Sequence, residues 1–91
     1  QALDDPDDWV RVRAIEALGA LKDTDAVPQL VALTENAGHL VLLKVVEALG
    51  AIGGNVAFRA LLNLMETDDA EVQQAAETAA ARIHDEQGVD D

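Results

Sequence analysis

Few residues of this 91-residue sequence combine the type and the spacing that bond chemistry requires. Its two histidines, His39 and His84, are natural metal ligands, but neither occurs in a His-x-x-x-His or Glu-x-x-His spacing. Serine and cysteine are both missing from the sequence, so no serine or thiolate nucleophile can be paired with a base. The sequence therefore predicts no catalytic residue, no metal site and no cofactor.

Two further segments have the composition of ligand-binding loops without their pattern. Asp4, Asp5, Asp7 and Asp8 lack the alternation of a calcium loop, and Gly53-Gly54-Asn55 lacks the strand and the phosphate-binding pattern of a nucleotide loop. Aspartates around a proline are typical of a helix start, because they cap free backbone amides. The glycine run is typical of a turn between helices.

The elements that would position any functional side chain are copies of one unit. The segment VRVRAIEALGAL at 10–21 recurs as VLLKVVEALGAI at 41–52. A third copy, VQQAAETAAARI, follows at 72–83, with the same offset from the second copy as the second has from the first. Repetition at a fixed period of this size indicates a stacked array, in which each unit buries its apolar face against its neighbours.

Apolar spacing and turn residues divide the chain into five helices joined by short turns, with no strand. The predicted helices are at about 9–21, 26–36, 39–52, 56–67 and 68–84. The first has one apolar stripe predicted to face the core, formed by Val10, Ala14, Ala17, Leu18 and Leu21. One domain, 1–84, would contain repeat one (about 7–37), repeat two (about 38–68) and a partial repeat three (about 69–84), before an acidic flexible tail at 85–91.

Three short segments are similar to a known family. Val10-Arg11, the Glu-Ala-Leu-Gly runs at 16–19 and 47–50, and Ala-Val-Pro-x-Leu at 26–30 resemble the HEAT-like repeats related to phycobilisome lyases. The resemblance implies an all-α fold, a right-handed HEAT-like α-α superhelix (solenoid) of two helical hairpins plus a closing helix. It also implies first helices on the convex side and second helices on the concave side. Repeat two departs at Leu42, where the pattern has arginine, and repeat three lacks a second helix.

One candidate partner-binding surface lies on the second helices. Arg59, Asn63 and Glu66 follow i, i+4, i+7 opposite the leucine-rich side, and Glu35 matches Glu66 one repeat earlier. Solenoids commonly bind partners on such a concave face. The alternative is a solvated helix face with no partner.

A second candidate surface lies on the first helices. A helical wheel places Val12, Ile15, Leu43 and Val46 away from the core stripe, although all four are apolar. The matching positions of the third copy are polar. An exposed apolar patch would mark an interface, either in a homo-oligomer or with another part of a longer parent chain. The alternative is that neighbouring helices widen the buried arc and cover these residues.

Composition narrows the classes of partner and the source. Eighteen acidic residues against six basic ones give a net charge of −12, which argues against nucleic acid and against anionic membrane surfaces. Such an excess favours a salt-loving, halophilic source.

One Trp, one Phe and no Tyr predict a thin core and no aromatic-lined pocket. No signal peptide or membrane span is recognisable, so a cytoplasmic location is expected. Because the sequence starts at Gln1, a segment of a longer repeat protein is also expected.

These observations favour a non-catalytic adaptor or scaffold that binds a protein partner. A bilin lyase-like enzyme is the alternative that the resemblance alone implies, and it would need a tetrapyrrole pocket. A HEAT-like DNA-repair protein would need a basic groove, whereas this sequence is acidic. A structural spacer within a longer solenoid is the third alternative.

Overall fold

The computed structural model describes residues 7–35 and 37–87. Within these residues the chain forms five α-helices and no strand, which confirms the all-helical prediction. The α-helices are α1 (Asp8–Leu21), α2 (Val27–Leu33), α3 (His39–Ile52), α4 (Asn55–Leu64) and α5 (Ala70–Gln87), and a short 3₁₀ helix (Thr24–Ala26) precedes α2. The predicted helix end at Asn36, the aspartates at 4 and 5, and tail residues 88–91 lie outside the described residues.

The helix bounds differ from the prediction mainly at the ends. Helices α2 and α4 stop at Leu33 and Leu64, each three residues earlier than the apolar spacing indicated. Helix α5 instead continues to Gln87, so the prediction of a flexible tail from residue 85 is wrong for residues 85–87. The cause lies in the composition, because Asp, Glu and Gln continue a helix on its solvated side as readily as they form a tail.

Aspartates fix the starts of three helical segments. Asp7 caps α1 by accepting a hydrogen bond of 2.9 Å from a backbone amide two residues on. Asp23 does the same for the 3₁₀ helix at 3.0 Å. Asp69 accepts from the amides of residues 71 and 72 at 3.1 and 3.3 Å and so caps α5. Each cap satisfies an amide that would otherwise lack a partner in the first helical turn.

The helices form two layers with α3 at the centre. The first helices α1, α3 and α5 lie side by side, and the second helices α2 and α4 pack against α3 in the other layer. Helix α4 also contacts α5. Helix α3 thus contacts every other α-helix, and its residues Val45 and Leu49 are completely buried.

One close contact occurs twice in the first-helix layer. A Cβ added to Gly19 would lie 3.0 Å from Ala48 Cα, and a Cβ added to Gly50 would lie 2.9 Å from Ala79 Cβ. Both partners of the second contact lie one repeat period after those of the first. The glycine of each Glu-Ala-Leu-Gly run therefore lets one first helix approach the alanine of the next.

The candidate convex patch is not a surface. Val12, Ile15 and Val46 are buried, and Leu43 is half-buried against the core, so the prediction that these four side chains point outward is wrong. They share the side of their helix with Gly19 or Gly50 and face the next first helix. In α1 the buried side is the one turned towards α3, whereas α3 has first helices on both sides, which widens its buried arc beyond one stripe.

The core stripe predicted for the first helix is wrong at three of its five positions, while Ala14 and Leu18 are partly buried against the core. In α1, Val10 and Leu21 are 37% and 76% exposed, and Ala17 is exposed as well. The matching residues of α3 are all buried: Val41, Val45, Ala48, Leu49 and Ile52. The two helices differ in burial because of their places in the stack: this side of α3 is covered by α1 and by the second-helix layer.

A charged cluster also joins the second unit to the third. At the start of α3, the His39 ring contacts the Asp69 carboxylate through Nδ1, and its Nε2 lies 2.9 Å from Glu71 Oε1. The hydrogen bond to Asp69 raises the pKa of His39 above its ordinary value of 6.5. The same bond lowers the pKa of Asp69 below its ordinary value of 3.8. The protonated ring therefore connects the starts of α3 and α5.

These pKa shifts predict a stabilisation confined to mildly acidic pH. The contribution of protonated His39 is present below pH 6.5 and is lost as pH rises through the raised pKa of the folded state. That of ionised Asp69 is present above pH 3.8 and is lost as pH falls through its lowered pKa. We expect His39→Gln to lower the melting temperature most near about pH 5–6, with little effect at about pH 9.

Thermal unfolding followed by circular dichroism across this range measures the difference between wild type and variant. His84→Gln is the control, since His84 lies 3.8 Å from Asp85 of its own helix and links no two helices. An effect of His39→Gln that stays constant with pH would contradict this role.

Candidate functional site

The predicted second-helix stripe lies on the surface. Arg59 and Asn63 are on α4, while Glu35 and Glu66 lie in the turns that follow α2 and α4. All four side chains are exposed, and none forms an ion pair with another described residue. Their role in binding a partner stays a prediction.

A groove between α1 and α3 holds the most exposed aromatic side chain in the described part of the chain. Trp9 and Leu40 are 70% and 42% exposed and occupy matching positions of successive repeats. The groove has a volume of about 560 Å³. We call it the Trp9 groove, and its lining residues are Trp9, Val12, Arg13, Glu16, Leu40 and Lys44.

Ion pairs across α1 and α3 form one wall of this groove. Lys44 Nζ lies 3.4 Å from Glu16 Oε2 on α1 and 3.6 Å from Glu47 Oε2 on its own helix. The negative charge of Glu47, followed by the hydrogen bond to Glu16, raises the pKa of Lys44. Glu16 thus pairs with the next first helix and not with Arg13 of its own helix. Glu16 is exposed and lines the groove together with the cations Arg13 and Lys44, whereas Glu47 lies outside its lining.

A second groove of about 600 Å³ runs beside the first and shares Glu16 and Lys44 with it. Small residues form its floor, including the glycines and alanines of the close contacts between first helices. The floor consists of Gly19, Ala20, Ala48, Gly50, Ala51, Ala75 and Ala79. Together the two grooves give the first-helix layer a continuous shallow surface with Trp9 at one end.

The composition predicted no aromatic-lined pocket, and Trp9 shows that prediction to be wrong. The repeated sequence itself contained a pattern that indicates this groove. Aligning the copies places Trp9 over Leu40 and Arg13 over Lys44, so that an apolar and a cationic residue recur together on the solvent side of the helix. One aromatic residue among many alanines is easily missed when only its abundance is considered.

The described residues show neither a metal centre nor a membrane span. Across 7–35 and 37–87, no three His, Cys, Asp or Glu side chains are grouped so as to hold a metal ion. None of the described helices combines the length and the apolar character that crossing a bilayer requires.

Two layers of helices, built from one recurring sequence unit, define a helical-repeat protein. The family model for HEAT repeats matches residues 1–81, so the chain belongs to the HEAT-repeat family. Proteins of this family generally mediate protein–protein interactions and are typically not enzymes. No curated protein and no solved structure gives a significant match to the chain.

Proposed function

We propose that this protein is a non-catalytic adaptor or scaffold that binds a protein partner through the Trp9 groove. The observation that supports this most directly is the pair Trp9 and Leu40, two exposed apolar side chains at matching positions beside one groove. Both side chains leave apolar surface in water that a partner would cover.

The energetic argument depends mainly on Trp9. An aromatic side chain covers about 150–250 Å² in an interface, which is worth about 4–6 kcal/mol at 25 cal/mol per Å². Tryptophan is also the residue most enriched among those that dominate binding energy. The net charge of −12 favours a partner that is neutral or basic overall, because opposite charge accelerates association.

The stripe of Glu35, Arg59, Asn63 and Glu66 is proposed as a second, weaker partner surface. It is exposed and lies on the opposite layer from the Trp9 groove. It lacks an apolar anchor, so a partner there would be held mainly by polar contacts. Such contacts between exposed charges contribute little individually, about 0–1 kcal/mol each.

The bilin lyase-like alternative has no support beyond the resemblance, since the family is typically non-enzymatic. The spacer alternative differs from our proposal in requiring no partner at either surface, and the binding experiment separates them. We retain the cytoplasm as the proposed location.

The binding proposal predicts that at least one partner protein binds this chain only when Trp9 is present. We expect wild-type protein coupled to a resin to retain from native lysate at least one protein that Trp9→Ala loses. After purification, this partner should shift the emission of Trp9, the only tryptophan, to shorter wavelength. Its Kd for Trp9→Ala should be weaker by about 30-fold, which corresponds to about 2 kcal/mol.

Val56→Ala is the matched control, because it truncates an exposed apolar side chain on α4, outside both proposed surfaces. A partner lost with Arg59→Ala and kept by Trp9→Ala would move the site to the second helices. A partner that binds wild type and Trp9→Ala equally, or no retained protein at all, would refute the Trp9 groove as the binding site.

We also propose a halophilic source, on the basis of the charge excess alone. Screening shortens the Debye length from about 10 Å at 0.1 M salt to about 3 Å at 1 M, which weakens repulsion among 18 acidic residues. We therefore expect the melting temperature to rise from dilute buffer to molar KCl. A flat or falling dependence, measured by circular dichroism, would count against this proposal.

A further inference from the structure

The two ends of the first-helix layer have opposite character. On the side of α1 turned away from α3, Val10, Ala17 and Leu21 are exposed. On the side of α5 turned away from α3, the exposed residues are Gln74, Glu77 and Ala81. The layer therefore ends in two polar residues and an alanine at α5, and in apolar residues at α1.

The repeat register shows what kind of surface fits the apolar end. Ala17 matches Ala48 and Ala79, which receive the close approach of Gly19 and Gly50. The larger residues match buried ones in the same way: Val10 corresponds to Val41 and Val72, and Leu21 corresponds to Ile52 and Ile83. The outer side of α1 thus repeats a surface that is covered by a preceding first helix in both observed cases.

The charges on α1 complete this correspondence. Lys44 reaches back 3.4 Å to Glu16 on the preceding first helix. Arg13 occupies the position of Lys44 on α1, is exposed, and forms no ion pair with any other described residue. A glutamate at the Glu16 position of a further helix would be placed to pair with it.

We infer that the outer side of α1, defined by Val10, Arg13, Ala17 and Leu21, is a docking surface for one further helical repeat unit of the same kind. The first helix of that unit would present a β-branched residue, a glutamate and a glycine with the spacing of residues 15, 16 and 19. A second copy of this chain does not fit head to tail, because its α5 end is polar. This surface borders the Trp9 groove, which lies on the solvent side of α1 and α3, and shares only Arg13 with it.

A tandem protein tests the docking surface directly. In it, a copy of residues 38–62 is placed directly before Gln1, where the added segment and residues 1–6 together complete one repeat period. The added helix then carries copies of Val46, Glu47 and Gly50 in register with Arg13 and Ala17. Because the chain has no cysteine, Leu21→Cys introduces a unique thiol on the docking surface.

We expect the rate of maleimide labelling at Leu21→Cys to fall at least about tenfold in the tandem protein relative to the single chain, because opening would be needed to expose the thiol. Ala17→Leu in the tandem protein should restore fast labelling by blocking the glycine contact. The same change at Ala81, which is exposed on the opposite end of the layer, should not restore fast labelling.

An unchanged labelling rate would overturn the inference even if the added segment does not form a helix. The reason is that the same sequence forms a helix that packs against α5 within the chain. Insensitivity to Ala17→Leu would also overturn it.

Discussion

The close contact between a glycine on one first helix and an alanine on the next is the interaction on which the rest of the structure depends. At Gly19–Ala48 and Gly50–Ala79 even a methyl group on the glycine would come within about 3 Å of its neighbour. Contact at this range brings the backbones close together, so that valine, isoleucine and leucine on either side can interlock at interior packing density. The same contact fixes the offset of the helices, which places Lys44 opposite Glu16 and His39 beside Asp69. It also explains why the first-helix layer packs through alanine, while the buried aromatic residue, Phe58, lies on α4.

The fold was largely predictable from the sequence, because each repeat period contains both the apolar pattern and the turn residues. Helix α3 was predicted with its observed bounds, and the other helices were located within a few residues. The orientation of the first helices was harder to predict. A single-stripe interpretation buried Val10 and Leu21 and exposed Val12 and Ile15, whereas the structure does the reverse in α1. The pattern of one helix does not tell how many neighbours it has, and the number of neighbours determines how wide its buried arc is.

The candidate site was only partly predictable, for a related reason. The exposed positions of Glu35, Arg59, Asn63 and Glu66 follow from helical spacing alone, and the structure places all four on the surface. The Trp9 groove depends on how α1 and α3 lie side by side, which is a tertiary contact that no local pattern reports. Separate surfaces for stacking and for partner binding are a natural result of this architecture, because side-by-side packing uses two sides of each first helix and leaves its solvent side available.

The central claim, that the glycine–alanine contact sets the stack, is tested most directly by a double-mutant cycle at Gly50 and Ala79. Gly50→Ala gains about 1 kcal/mol in helix propensity, while forcing a methyl into a packed contact costs about 1–3 kcal/mol. Urea unfolding should therefore show a net loss of about 1 kcal/mol in the wild-type background and a gain of up to about 1 kcal/mol in Ala79→Gly, a coupling of about 2 kcal/mol. If Gly50→Ala stabilises the protein equally in both backgrounds, the two residues do not set the spacing of the helices and the account is contradicted.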